Sequence, residues 1–232
     1  MDLRLTLMNG FELTRDGERV PVPHNAQRLI AYLALRDRPL LRVHVAGTLW
    51  MDSSEERSCA NLRSALWRLR AQAQTVVQAD ASHAWLSNEV HVDVRDVFML
   101  ARTLMEHGEP DADATTAEQS SLLAGDLLPD WYDEWVLLER DRLRELCVHA
   151  LEELACRATR EGRYGVAVDN ALAAIQVDPL RESAHRALIS AHLAEGNASA
   201  GLRHYRDYCR RAAEELGIEP SPQLRELVAE LS

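Results

Sequence analysis

The sequence predicts a mainly α protein with a small β component, in which an N-terminal winged helix-turn-helix is followed by an all-α, tetratricopeptide-like domain. Three observations carry that prediction. Short alternating segments punctuated by Asn9-Gly10 and Asp16-Gly17 open the chain. Three helical periods and a hairpin pattern follow them. The rear half then repeats itself at an interval of 34 residues.

In the opening segment, residues 3–8 alternate, and Phe11 to Thr14 and Arg19 to Val22 flank the turn at Asp16-Gly17, giving two or three short antiparallel strands. Pro21 and Pro23 end them. A first helix is expected from about Asn25 to Arg36, with Leu29, Ile30, Leu33 and Ala34 as its core stripe, and Pro39 breaks it. A shorter helix follows, roughly Arg42 to Trp50. The third runs from Glu55 to Arg70, and Ser54 ahead of Glu55 and Glu56 suits its start.

That third helix has two faces. With Leu62 as origin and 100° per residue, Ser58, Leu62, Ala65, Leu66 and Leu69 lie within about 60° of one line. Arg57, Asn61, Ser64, Trp67 and Arg68 fall on the opposite side, and Arg63 and Arg70 at its flank. A buried stripe backed by Arg, Asn and Ser lets a helix pack on a domain while presenting polar groups to a major groove. Taken alone the helix reads first as a solvated amphipathic segment with incidental arginines, and its surroundings reverse that preference. Thr75 to Gln78, a tip at Ala79 to His83, and Ala84 to Leu86 form a hairpin, with a further strand at Val90 to Val94. Strands, three helices and a hairpin in this order make a winged helix, whose third helix enters the major groove while the hairpin tip meets the adjoining backbone or minor groove. Trp50 and Trp85 are expected in the core.

The first domain is taken as residues 1–95 and the second as 96–232. The second opens with a helix from Phe98 to His107 and a loop from His107 to Gln119. A long helix from Glu134 to Arg160 follows. Leu154 and Leu188, Gly162 and Gly196, and Val166 and Ala200 are each 34 apart. Each Gly separates two helices, Leu146–Arg160 from Tyr164–Gln176 and Ser183–Glu195 from Ala198–Leu216, before a last helix at Leu224 to Leu231.

The net charge of −11 is unevenly spread. Residues 1–95 hold 12 Arg and 11 acids, whereas residues 96–232 hold 14 Arg and 26 acids, so the front is near neutral and the rear acidic. From Arg36 to Arg70 seven Arg face four acids, which concentrates positive charge around the third helix. No lysine occurs. Arginine suits bidentate contacts to guanine and phosphate, although the same usage arises from a GC-rich genome.

No Walker-type, G-x-G-x-x-G or G-x-S-x-G motif is present, and no catalytic residue or cofactor is expected. His185, His192 and His204 lack metal-ligand spacing, so no metal site is expected. The four separated cysteines read as reduced thiols, and neither a signal peptide nor a membrane span is expected, which places the protein in the cytoplasm.

The stretches AQRLIAYLAL, VHVAGTLW and ANLRSALWRLR resemble the DNA-binding half of Streptomyces antibiotic regulatory protein (SARP) regulators, which is similar to OmpR-type winged helices. DLLPDWYDEWVLLERDRLRELCVHALEELA and AAEELGIEPSP resemble the bacterial transcriptional activation domain that follows it in that family. The resemblance runs from about residue 3 to residue 225. It implies a transcription factor, an activator that binds direct repeats in double-stranded DNA near promoters as a side-by-side pair. It further implies recruitment of RNA polymerase through the sigma factor and through the C-terminal domain of the polymerase alpha subunit. The DNA-binding residues would be Arg57, Asn61, Arg63, Ser64, Trp67, Arg68 and Arg70. Family members usually carry a polar residue at Trp67, which leaves three roles open: buttressing the wing, stacking on a sugar, or lying against a neighbouring protomer. Arg36, Arg38 and Arg42, around the first helix break, would meet DNA backbone, polymerase or solvent. The alternative from another class is a tetratricopeptide adaptor whose winged helix docks protein.

Overall fold

The computed structural model describes residues 2–72, 75–107 and 116–229. These divide into two compact units, Met1–Asp96 with Asp126–Asp141, and Val97–Gly125 with Arg142–Ser232.

In the first unit β1 (Leu3–Thr6) and β2 (Glu12–Arg15) pair antiparallel, Leu3 opposite Arg15 and Leu5 opposite Leu13. Leu3, Leu5 and Leu13 point into the core while Arg4 is exposed, the period-2 pattern of a sheet with one covered face. The turn into β3 (Glu18–Arg19) holds Asp16 at φ 50° and Gly17 at φ 85°, the doubly left-handed pair a tight hairpin needs. Helix α1 (His24–Arg36) buries Leu29, Ile30, Leu33 and Ala34 as expected, and Ala31 and Tyr32 as well. It ends in Asp37 at φ 46°.

β4 (Leu40–Leu41) leads into α2 (Arg42–Leu49), and α3 spans Glu55–Gln72. β5 (Val77–Ala79), β6 (His83–Leu86) and β7 (Val90–Val92) complete the strands. The hairpin tip is therefore Asp80 to Ser82, shorter than its pattern suggests, because β4 pairs with β6 and extends its order to His83. β7 does not join the hairpin. It pairs parallel with β1, closing a four-stranded sheet of order β3-β2-β1-β7. The Asp93 carboxylate locks this seam by accepting the backbone N–H groups of Leu7 (2.9 Å) and Met8 (3.1 Å). Burial raises its carboxyl above the ordinary range, against the pull of those N–H donors.

Helix α4 (Asp93–His107) starts five residues before the apolar pattern suggests, since Asp93 also accepts its own helix's Val94 N–H. Residues 116–119, expected in a loop, are helical in α5 (Thr116–Leu123); residues 108–115 of that loop lie outside the described residues. Helix α6 runs Glu134–Arg160 as the periodicity predicts.

The second unit continues with α7 (Tyr164–Val177), α8 (Glu182–Ala194), α9 (Ala198–Leu216) and α10 (Pro222–Ala229). The expected end of the last helix, beyond residue 229, lies outside the described residues. Gly162 and Gly196 take φ of 73° and 87°, so the 34-residue interval marks two left-handed helix ends that other residues adopt only with strain. Between these helices the contacts are built on small residues: Ala155, Ala171 and Ala187 around Leu188, and Ala158, Ala167 and Ala191 together. Ile189, Tyr208, Ala212, Leu224 and Val228 form the cluster beyond.

A histidine pair lies in that unit. The Nε2–H of His185 donates to the Pro179 carbonyl at 2.9 Å, which leaves Nδ1 to accept from Nε2–H of His204 at 3.0 Å. Both rings titrate below the ordinary histidine value, chiefly through burial, and His204, next to His185, His192 and Arg211, is pushed down to about 4. An unfolded His204 takes a proton near pH 6.5 and the folded one does not, so stability falls as pH drops through that window. The expected loss is at most about 3 kcal/mol between pH 7.5 and pH 4. Thermal melts at pH 7.5 and 5.0 check it: His204→Gln should lose less melting temperature on acidification than the wild type, and an equal loss contradicts it.

Candidate nucleic-acid interface

Helix α3 is fixed by its buried stripe: Ser58, Leu62, Ala65 and Leu69 are 4% exposed or less, against α1 and α2. Leu66, on the same stripe, is half-buried. The Ser54 carbonyl accepts the Ser58 N–H at 2.9 Å, which begins the helix at Glu55. Glu55 and Glu56 sit in its first turn, where the helix dipole favours acids. The Ser58 hydroxyl is satisfied internally, donating to the Glu55 carbonyl.

The opposite face is open. Arg57, Arg63, Ser64, Trp67, Arg68 and Arg70 are exposed and Asn61 is half-buried. Among the described residues the side chains of Arg57, Asn61, Arg63, Arg68 and Arg70 make no hydrogen bond or ion pair. Arg63, Ser64, Trp67 and Arg68 are brought together, with Ala60, around a shallow hollow of about 490 Å3. Arg57, Asn61 and Arg70 lie outside that lining. Ser64 differs from a free donor, because its hydroxyl proton is given to the Ala60 carbonyl at 3.0 Å and its oxygen is left to accept.

Beside α3, the hairpin is held by groups that sequence patterns did not single out for that purpose. The Asp80 carboxylate accepts the N–H groups of Ser82 (2.7 Å) and His83 (2.6 Å), and these backbone donors, His83 first, lower its pKa. The Arg42 guanidinium donates to the Asp80 carbonyl at 3.0 Å, and its backbone N–H to the Ser82 carbonyl. Arg42 is thus spent on the wing, and Arg36 is paired with Glu139. Arg38 remains exposed and unpaired among the described residues. Trp50 and Trp85, expected in the core, are only half-buried; the Trp85 indole N–H donates to Gln78 Oε1 at 3.1 Å across the hairpin.

Residues 126–141 complete the first unit. Leu128 N–H bonds the Leu7 carbonyl, Asn9 and Asp126 exchange two hydrogen bonds, and Leu127 bridges Met8. Trp135 packs edge-on to Tyr32 of α1 (5.2 Å), Trp131 stacks on Phe11 (6.0 Å), and Asp133 pairs with Arg28. Aromatic spacing in Trp131 and Trp135 was the available signal, but nothing local in it names α1 as the partner.

The model for the bacterial transcriptional activator domain matches residues 92–232. The chain belongs to that family. Over 97% of its length it is 27% identical to regulatory protein AfsR of Streptomyces coelicolor and, equally, to that of Streptomyces griseus. The chain spans about a quarter (24%) of the length of these relatives. Among solved structures, Mycobacterium tuberculosis EmbR, determined with a low-affinity phosphopeptide, superposes with a TM-score of 0.74. At 24% identity, over 99% of this chain and 65% of that one, this is a likeness of fold. The matched family is one of transcriptional regulators and not of enzymes, and the likeness to AfsR supports a regulator of the SARP family. Among the described residues, no helix of this activator-domain protein is long and apolar enough to cross a membrane.

Proposed function

We propose that the protein is a sequence-specific DNA-binding activator, working in the cytoplasm, that places α3 in the major groove of a promoter-proximal site. One observation carries the reading: α3 is buried along one stripe while its other face holds four exposed arginines with no intramolecular partner among the described residues. A guanidinium without a carboxylate is available for phosphate oxygens and for guanine O6 and N7. Arg63 and Arg68 contact bases or phosphates from the rim of the hollow, Arg57 and Arg70 hold backbone, and Asn61 and Ser64 meet base edges, Ser64 as an acceptor. The wing contributes weakly, since its tip carries Asp80 and no arginine. Two copies lie side by side on direct repeats. The acidic helical unit recruits RNA polymerase through the sigma factor and through the C-terminal domain of the polymerase alpha subunit.

Selection of genomic fragments by the purified protein, at stepped salt, tests this. Enrichment of a repeated motif is expected, with affinity falling steeply as ionic strength rises, by close to one power of salt per phosphate contacted. No enrichment at low salt would transfer the function to protein docking by the helical unit.

A further inference from the structure

We infer that Trp67 reads thymine, its indole covering a 5-methyl group in the major groove; this rests on the DNA-binding reading above. Trp67 is 72% exposed, on a helix that carries no other aromatic residue. An indole left in water forgoes the burial that large aromatic side chains otherwise gain. What would cover it is constrained by its surroundings. Arg63, Arg68 and Arg70 lie within four positions of it on the same helix, with Arg57 further along, all without carboxylate partners among the described residues, so the complementary surface is a polyanion.

The major groove of such a polyanion offers polar edges at every base pair and one apolar group, the thymine 5-methyl. The small residues beside the indole leave room for that group. A helical side chain leans toward the preceding turn, which directs the indole toward Ser64 and, a turn further on, Ala60. Both are small and both line the hollow. The Ser64 hydroxyl proton is already committed to the Ala60 carbonyl, so no free hydroxyl proton competes for the space. Arg63 and Arg68 at the rim supply the guanine and phosphate contacts that bring the helix close enough for a methyl group to be felt.

The experiment removes only that methyl. In a duplex carrying the motif selected by the protein, each dT is replaced in turn by dU, and affinities are measured for the wild type, Trp67→Ala and Trp67→Gln. The wild type should lose about fourfold at one or two positions, the value of one buried methyl group. The two variants should bind less tightly overall yet be indifferent at those same positions. Circular dichroism of the variants should match the wild type, since the side chain is exposed. If every dU duplex affects wild type and variants alike, the indole lies on sugar, backbone or a second protomer, and the thymine assignment fails while DNA binding stands. If no motif is selected at all, both fail together.

Discussion

Replacing Arg63 and Arg68 together by alanine should weaken selective DNA binding by at least an order of magnitude while leaving the fold intact. Each guanidinium is exposed and has no hydrogen bond or ion pair among the described residues, so nothing inside the protein loses a partner. Exposed substitutions of that kind fall within about 0.5 kcal/mol in stability. In a complex the same groups contact base edges or phosphates, and each good base contact is worth about 1–3 kcal/mol. The pair should therefore cost on the order of 30-fold to 10,000-fold in affinity for the selected site. A further mark separates base from phosphate contact. Loss of phosphate contacts lowers the salt slope by about 0.9 for each and weakens all sequences alike, whereas loss of base contacts relaxes the motif. An unchanged motif and affinity in the folded double variant would remove α3 from the interface.

Arg140→Ala should produce the largest loss of stability, about 3–5 kcal/mol, in the first unit. Its side chain, 11% exposed, donates to three backbone carbonyls: Leu127 at 2.8 Å, Leu128, and Trp131 at 3.0 Å. Leu128 takes φ of 45°, a left-handed conformation that a branched apolar residue holds only when its neighbours compel it. Truncation leaves three acceptors without their donor, in a segment whose Trp131 and Trp135 pack on Phe11, His24 and Tyr32. Arg140→Lys should recover less than half of the loss, because an ammonium is a point donor and cannot fork to three carbonyls spread over five residues. Chemical denaturation followed by tryptophan fluorescence measures both variants. Full rescue by lysine would show that charge, and not the fork, is what the turn requires.

The arginines of these two predictions differ in how far the sequence alone reveals them. Arg63 and Arg68 are legible because a helix's open face is the complement of its apolar stripe, and that stripe is written at local spacings of three and four. The same reasoning places α6 at Glu134–Arg160, and the 34-residue interval marks the left-handed ends at Gly162 and Gly196. These are properties of neighbouring residues, and the chain states them directly.

Arg140 is not legible in that way, nor is Arg42 as a support of the wing. Their acceptors are carbonyls, which every residue has, so no pattern of side chains announces them. The parallel pairing of β7 with β1, between residues more than 80 positions apart, and the packing of residues 126–141 on α1 likewise have no local signature. They are decided by which surfaces lose the most water when the chain closes on itself. So too with the hollow at Trp67: its residues are named by the helical period, but the turning inward of the Ser64 hydroxyl, which leaves the indole beside an acceptor and not a donor, exists only in the folded helix.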